Sequence, residues 1–186
     1  FLKMQTSQMQ KLLERGETGR LNEVVQDHLG ALNAAYLETR QVIENLRLDA
    51  DMALGDWLRT AGAAFESASG LHVETQVDAQ VPEVLPEVRA QLVRIYQEAL
   101  SNVRKHAGAQ RVWVRLGAWE GDLILEVADD GRGFAPEDVP EVMRFGLRGM
   151  RERAEVIGAD FQITSQVGQG TRVRLRLPRT QLEQNG

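Results

Sequence analysis

Glu98 and Asn102 stand four residues apart in a segment whose apolar spacing predicts a helix. Residues four apart share one face of a helix, so a carboxylate and an amide oxygen would lie side by side. Oxygen ligands of this kind suit Mg²⁺, with water and phosphate oxygens completing the octahedron. Lys105, nearly one turn further along, could neutralise phosphate charge. Such a pair on a helix is most often only solvated, so alone it is a weak indication.

The sequence DDGRGF at 129–134 directly follows an alternating run that predicts a strand. A carboxylate at the end of a strand, here Asp129, can accept a hydrogen bond from an exocyclic amine such as adenine N6. Gly131 and Gly133 would let the backbone pass close to a ligand. A tight acidic turn explains the hexapeptide equally well.

Two further glycine motifs follow, FGLRGM at 145–150 and GQGT at 168–171. In the first, Gly146 and Gly149 are predicted to open a helix, whose N-terminal N–H groups attract phosphate. In the second, Thr171 enters a strand after a hairpin turn. Each motif in isolation is explained by ordinary chain geometry. The chain has neither a G-x-x-x-x-G-K-[ST] loop nor a G-x-G-x-x-G after a first strand, which excludes a Walker A loop and a dinucleotide fold.

The elements that must position these residues follow from apolar periodicity and from turn residues. Helices are predicted over 52–69, 87–106 and 147–157, with a glycine-rich loop over 130–146. Strands are predicted over 71–77, 111–116, 122–128, 160–166 and 171–177, with hairpin turns at 119–122 and 167–170. Helices interspersed with strand hairpins imply an α+β fold, an α/β sandwich in which one mixed sheet carries helices on one face.

The first 50 residues follow a different pattern. Helical apolar stripes over 1–13 and 21–48 are separated by GETG at 16–19. Two helices joined by a short loop form an antiparallel hairpin. The second stripe is longer than the first, and a dimeric four-helix bundle would cover its apolar face. We expect a helical hairpin over 1–50, a domain over 51–180 and a tail over 181–186.

Composition limits the class of protein. The chain has 186 residues, 26% charged and 42% hydrophobic, which is the balance of a soluble globular protein. A net charge of −5 argues against direct binding of nucleic acid. The absence of cysteine excludes disulfides and thiolate chemistry, and it is compatible with a reducing cytoplasm. The chain starts at Phe1 within an amphipathic pattern, so we expect it to be part of a longer protein.

The order of the four motifs resembles the N box and glycine boxes of the GHKL ATPases, whose nucleotide-binding fold is the Bergerat type. The segments QEALSNVRKHA, GLRGMRERA and GQGTRVRLRLP resemble the histidine kinases that pair with LuxR-type response regulators, including the nitrate/nitrite sensors. The segment LNAAYLETRQVIENLRL resembles the second helix of that subfamily's dimerisation hairpin. The resemblance covers nearly the whole chain up to Pro178.

This resemblance implies ATP and Mg²⁺ as cofactors and a role for each matching residue. Asp129 would bind the adenine amine with support from Thr171, and Asn102 would hold Mg²⁺. Glu98 would assist there or orient the attacking group. The remaining implied site residues face the phosphates or shape a lid over ATP: Lys105, His106, Gly131, Gly133, Gly146, Leu147, Gly149 and Met150.

The resemblance also implies a histidine that accepts the γ-phosphate in a His-Asp motif on the first hairpin helix. That motif is absent from this sequence, which has only His28, His72 and His106. We interpret His28 as a surface or bundle residue, His72 as structural and His106 as a phosphate-side residue. The acceptor would then lie outside this chain, in the cytoplasmic portion of a membrane-anchored homodimer that passes the phosphoryl group to a LuxR-type response regulator.

Two other functions use the same nucleotide fold. One is an ATPase that hydrolyses ATP to drive a conformational cycle, and Glu98 is the feature that supports it, since such enzymes activate water with a carboxylate at the matching position. The other is a partner-switching kinase that phosphorylates serine on another protein. The predicted helical hairpin argues against both.

Overall fold

The computed structural model describes residues 52–135 and 141–183, together with 13, 17, 19, 20, 24 and 25. The chain divides into two units, Phe1–Ala50 and Asp51–Gly186, and the described residues lie mainly in the second. The predicted helical hairpin falls outside the described residues except at those six positions, and it stays a prediction. In the described ranges no helix is long and apolar enough to cross a membrane.

The second unit alternates helices with strands. The helices are α1 (Leu54–Ser69), α2 (Pro86–Asn102), α3 (Glu141–Val156) and the short α4 (Arg179–Glu183), and a π-helical turn, Val103–Ala107, continues α2. The strands are β1 (His72–Val77), β2 (Arg111–Trp119), β3 (Asp122–Asp129), β4 (Asp160–Ser165) and β5 (Thr171–Leu177).

The five strands form one mixed sheet in the order β1-β2-β3-β5-β4. Strand β1 is parallel to β2, and the other neighbours are antiparallel. The register aligns buried side chains on one face, among them Val114, Val127 and Val173. The opposite face carries exposed arginines on β2 and β5, such as Arg115 and Arg174. The predicted mixed sheet with helices on one face is confirmed.

The core lies between this apolar face and the helices. Helix α1 buries Trp57 and Leu58, and α2 buries Leu92, Ile95 and Tyr96. The rings of Trp57 and Tyr96 meet edge to face with centroids 5.8 Å apart. Aromatic side chains of this size bury much apolar area, so this contact is a main source of packing energy between the two helices.

Turn residues set the ends of several elements. Gly70 ends α1 in the left-handed conformation and donates its N–H to the Glu66 carbonyl, while Pro86 occupies the first turn of α2. Glu120 and Gly121 both have positive φ, 53° and 89°. This is the two-residue turn whose twist suits a hairpin, and it confirms the predicted connection between β2 and β3.

The main difference from the sequence expectation concerns α3. We expected a loop up to residue 146 and a helix from Leu147, but the helix begins at Glu141. Gly146 and Gly149 therefore lie within the helix, so the prediction that they open it is wrong. A glycine costs only about 1 kcal/mol in a helix interior, and burial of Met143 and Met150 offsets this cost.

The turn between β4 and β5 provides a test of close backbone packing. Gly168 and Gly170 have φ of 79° and 75°, but a Cβ at Gly170 would lie 1.9 Å from the Asp129 carbonyl oxygen, whereas one at Gly168 would meet nothing within 4 Å. The left-handed conformation costs a non-glycine residue roughly 1–2 kcal/mol. We expect Gly168→Ala to lower the free energy of unfolding by about this amount in urea denaturation, and Gly170→Ala to lower it clearly further. Equal losses would contradict the packing described at Gly170.

Candidate functional site

A cavity of about 330 Å³ lies between the end of α2, the ends of β3 and β5, and α3. Six of the residues predicted from the sequence line it: Asn102, His106, Asp129, Gly133, Leu147 and Thr171. Asn102 and Asp129 come from two separate motifs, and the fold brings them to one cavity. The predicted residues Glu98, Lys105, Gly131, Gly146, Gly149 and Met150 are not among its lining residues.

Asp129 is the last residue of β3 and is only 7% exposed. Its carboxylate Oδ1 accepts the Gly131 N–H at 2.8 Å. Burial raises the pKa of Asp129 above its ordinary value, although the backbone N–H groups of Gly131 and Thr171 favour the ionised form. Since an ionised carboxylate offers about four acceptor positions, it retains acceptor capacity toward the cavity after the bond from Gly131.

The neighbouring Asp130 has a different role. Its Oδ1 accepts the backbone N–H groups of Gln110 and Arg111, each at 2.8 Å. The bond from the Arg111 backbone is the main cause that lowers the pKa of Asp130. This carboxylate fastens the start of β2 to the end of β3, so the two adjacent aspartates divide into one that faces the cavity and one that stabilises the sheet.

Thr171 begins β5 beside Asp129. The register pairs Ala128 with Arg172, so Asp129 and Thr171 stand opposite each other one position further along. On the other side, Thr171 is paired with Ser165 of β4, and their hydroxyl oxygens are 3.0 Å apart. Three strands therefore place polar side chains in one row, of which Asp129 and Thr171 line the cavity.

Asn102, Glu98 and Gly146 meet where α2 packs against α3. A Cβ at Gly146 would lie 2.1 Å from Glu98 Oε1 and 3.5 Å from Asn102 Nδ2. The two polar side chains therefore end near the same point, as their spacing on the helix predicted. Glycine at 146 permits this close approach of the helices. Nδ2 of Asn102 is buried and has no hydrogen-bond partner within the described ranges.

The π-helical turn at the end of α2 contains the other two predicted residues of the first motif, Lys105 and His106. We expected a regular helix up to His106, and the wider turn instead starts at Val103. His106 lines the cavity, whereas Lys105 is exposed. The turn also presents the Ala107 carbonyl, which accepts the Arg132 N–H at 2.8 Å. Such π turns occur often at functional sites.

The glycine-rich segment after β3 is held against the turn between β4 and β5. The Gly168 N–H donates to the Arg132 carbonyl at 2.7 Å. A Cβ at Gly133 would lie 2.0 Å from the Gln166 carbonyl oxygen, and one at Gly131 would lie 2.5 Å from that of Ala107. No side chain fits at either glycine because backbone lies so close, and of the two Gly133 lines the cavity.

The residues of the third glycine motif differ in their relation to the cavity. Leu147 lines the cavity, and Met150 is buried in the core. Gly149 lies inside α3, and a Cβ there would meet nothing within 4 Å. Space alone therefore does not require glycine at this position.

Most of the remaining lining residues are apolar, and the sequence reasoning did not single them out. They include Val103, Val127, Phe134, Met143, Val167 and Val173. Alternation within β3 and β5 could have placed Val127 and Val173 on the same face as Asp129. Met143 was missed because the start of α3 was expected to be a loop.

The cavity combines apolar walls with a buried hydrogen-bond acceptor at its floor and polar groups at the end of α2. This arrangement suits a flat apolar ring that carries an amine donor, with a polar group extending toward Asn102 and His106. The described ranges contain no cluster of three or more histidine, aspartate or glutamate side chains that could hold a metal ion. Mg²⁺ needs fewer protein ligands, since phosphate oxygens and water supply the others, and the side-chain oxygen of Asn102 is a ligand of the right type.

Comparison with known proteins decides the family. Residues 87–181, about half of the chain and all of the cavity-lining motifs, match the family described as "Histidine kinase-, DNA gyrase B-, and HSP90-like ATPase". The chain belongs to this family. The matched segment begins in α2 and ends in α4, so it includes both Asn102 and Asp129.

Relatives among characterised proteins are sensor kinases. The chain is 36% identical over 130 residues to the oxygen sensor histidine kinase NreB of Staphylococcus carnosus, covering 70% of this chain and 38% of NreB. It is 33% identical over 159 residues to the sensor protein VraS of Staphylococcus epidermidis, covering 85% of this chain and 43% of VraS. The chain thus spans less than half of these relatives. The recognition of a sensor histidine kinase ATP-binding domain is confirmed.

The fold also matches solved structures. The blue-light activated histidine kinase EL346 of Erythrobacter litoralis aligns with a TM-score of 0.69 at 22% identity, covering 95% of this chain and 60% of that chain. At this identity the likeness shows the fold alone. It confirms the predicted α+β architecture of the Bergerat type.

The burial of Asp129 predicts how its replacement affects stability. A raised pKa means that the ionised form is less favourable in the folded protein than in the unfolded chain. The penalty is absent below the unfolded-state pKa and complete above the folded-state pKa. We expect Asp129→Asn without ligand to melt at the same temperature as the unsubstituted protein or at a higher one at pH 7, and we expect this advantage to shrink as the pH falls. Thermal unfolding followed by circular dichroism measures this, and a clear loss of stability at pH 7 would contradict it.

Proposed function

We propose that this chain is the catalytic ATP-binding portion of a two-component sensor histidine kinase. It transfers the γ-phosphate of ATP to a histidine outside the chain for relay to a response regulator with a LuxR-type output domain. One observation carries the proposal: Asn102 and Asp129 line a single cavity with apolar walls. Membership of the ATPase family and the sensor-kinase relatives support it.

Adenine recognition rests on the floor of the cavity. The Asp129 carboxylate lines the cavity and accepts a hydrogen bond from the exocyclic amine of adenine, because it retains free acceptor positions. Thr171 supports it from the next strand. Met143, Leu147 and Val173 line the cavity and provide apolar contact for the ring. This geometry favours a purine that carries an amine over one that carries a carbonyl at the same position.

Phosphate binding rests on the end of α2. The Asn102 amide oxygen would hold Mg²⁺, which neutralises phosphate charge when bound. His106 and Arg132 also line the cavity and would contact phosphate oxygens. Lys105 is exposed on the same π-helical turn as His106 and adds positive charge there. Positioning and charge neutralisation of this kind are most of what phosphoryl transfer requires from a protein.

The acceptor and the partners follow from the sequence resemblance. His72 lies on β1, where its ring is 3.4 Å from Glu66, and His106 belongs to the cavity wall. Neither lies on a dimerisation helix, since His72 is exposed on a strand and His106 belongs to the π-helical turn. We assign the acceptor to a dimerisation hairpin of the whole protein, which would be a homodimer anchored in the membrane with this portion in the cytoplasm.

The hydrolytic alternative receives less support. Glu98 is the carboxylate that would activate water, yet it packs against Gly146 and is not among the cavity-lining residues. In the kinase, this glutamate would assist at the Mg²⁺ site through its position beside Asn102 or orient the attacking group.

Nucleotide binding tests the cavity directly. We expect the chain to bind ADP and ATP in the presence of Mg²⁺ and Asp129→Asn to lose at least roughly 2 kcal/mol of binding free energy, since a buried charged acceptor is removed. Isothermal titration calorimetry measures this. Asp160→Asn is the matched control, because Asp160 is exposed on β4 and should leave the affinity unchanged. Unchanged affinity in Asp129→Asn would remove Asp129 from the adenine role.

Transfer of the γ-phosphate tests the location of the acceptor. We expect the chain incubated with γ-labelled ATP and Mg²⁺ to remain unlabelled, because the acceptor histidine is supplied by another segment. The measurement is acid-labile and base-stable label on the protein after electrophoresis. Self-labelling that persists after His28, His72 and His106 are all replaced would contradict the proposal, and rapid multiple-turnover release of phosphate would favour the hydrolytic alternative.

A further inference from the structure

Ser165, the last residue of β4, lies at the junction of three segments of the cavity. Its Oγ accepts the Phe134 N–H at 2.9 Å and donates to the Gly170 carbonyl at 3.0 Å. It also lies 3.0 Å from Thr171 Oγ1. The serine thereby connects the segment after β3, the turn before β5 and the threonine at the cavity floor.

These contacts determine which hydroxyl donates. A serine hydroxyl has one proton and two acceptor positions. The Gly170 carbonyl can only accept, so it takes the Ser165 proton, and the Phe134 N–H occupies one acceptor position of Oγ. The contact with Thr171 must then be a bond that the Thr171 hydroxyl donates. All three hydrogen-bonding positions of Ser165 are filled in this arrangement.

The direction of the Thr171 hydroxyl determines which groups a ligand meets in the cavity. Because the Thr171 proton is directed toward Ser165, its oxygen presents only lone pairs to a ligand. Thr171 stands opposite the Asp129 carboxylate, which is also an acceptor. Both polar groups at the floor therefore require a donor from the ligand. An amine satisfies them, whereas a carbonyl oxygen at the same position would leave both unpaired.

We infer that Ser165 is a positioning residue that sets the Thr171 hydroxyl as an acceptor and thereby strengthens the preference of the site for a 6-amino purine over a 6-oxo purine. The inference deepens the proposed nucleotide function and rests on it. Ser165 does not line the cavity itself, so it acts through Thr171. In its absence the Thr171 hydroxyl is free to rotate and to donate to a carbonyl.

The experiment compares ADP with inosine diphosphate, which replaces the amine by a carbonyl. Calorimetric affinities of both nucleotides are measured with Mg²⁺ for the unsubstituted protein, Ser165→Ala and Ser165→Thr. We expect Ser165→Ala to reduce the preference for ADP by about fivefold, the effect of one hydrogen bond between neutral groups. Ser165→Thr keeps the hydroxyl and should restore most of the preference. Thr164→Ala is the matched control, because Thr164 is exposed on the opposite face of β4.

The outcomes separate this inference from the function on which it rests. Failure of the unsubstituted protein to bind ADP overturns the proposed function. Tight binding of ADP together with an equal loss of affinity for both nucleotides in Ser165→Ala, or with no change in either, overturns the role of Ser165 alone. Loss of preference in both Ser165→Ala and Ser165→Thr also overturns it, since the hydroxyl would not be the cause. Thermal unfolding of each variant verifies that the fold is retained.

Discussion

The buried carboxylate of Asp129 is the constraint on which this site depends. An ionised carboxylate away from water is costly unless hydrogen-bond donors surround it. The fold provides the backbone N–H of Gly131, which donates to the carboxylate. This bond requires the chain to turn immediately after β3. The register also places the start of β5 beside the end of β3, where the Thr171 N–H favours the ionised carboxylate.

The same constraint explains the glycines around it. Bringing β5 against the end of β3 leaves no room for a side chain at Gly170, where a Cβ would meet the Asp129 carbonyl oxygen. The segment after β3 is then enclosed between the π-helical turn and the β4–β5 turn. Gly131 is required because it lies against the backbone of the π-helical turn, and Gly133 because it lies against the backbone of the β4–β5 turn. These glycines are needed because the backbone segments pack closely, and this close packing gives the cavity wall its shape.

Much of this could be predicted from the sequence, for identifiable reasons. Alternation of apolar residues placed the strands within a few residues of their observed bounds, because one face of the sheet is buried. Pro86 and Gly70 marked helix ends through their own conformational preferences. Asn102 and Asp129 were found from the order of four motifs and share one cavity. The roles of the site residues stay predictions.

What could not be predicted depended on tertiary contacts. The early start of α3 depends on burying Met143 and on packing Gly146 against α2, whereas local glycine content favoured a loop. The π-helical turn depends on the approach of the segment after β3 to Ala107. Ser165 carries no motif, and its importance follows only from the three partners that the fold brings to its hydroxyl.

The contact between Gly146 and Glu98 couples the wall of the cavity to the proposed Mg²⁺ site. Helix α3 contributes Met143 and Leu147 to the wall, and the same helix covers Glu98 through Gly146. The apolar wall and the cover over Glu98 are therefore parts of one helix, and their separation is fixed by its geometry. Gly146 and Gly149 weaken this part of α3 by about 1 kcal/mol each relative to alanine. At Gly146 the close approach to Glu98 explains why glycine is kept despite this cost, whereas a Cβ at Gly149 would meet nothing within 4 Å.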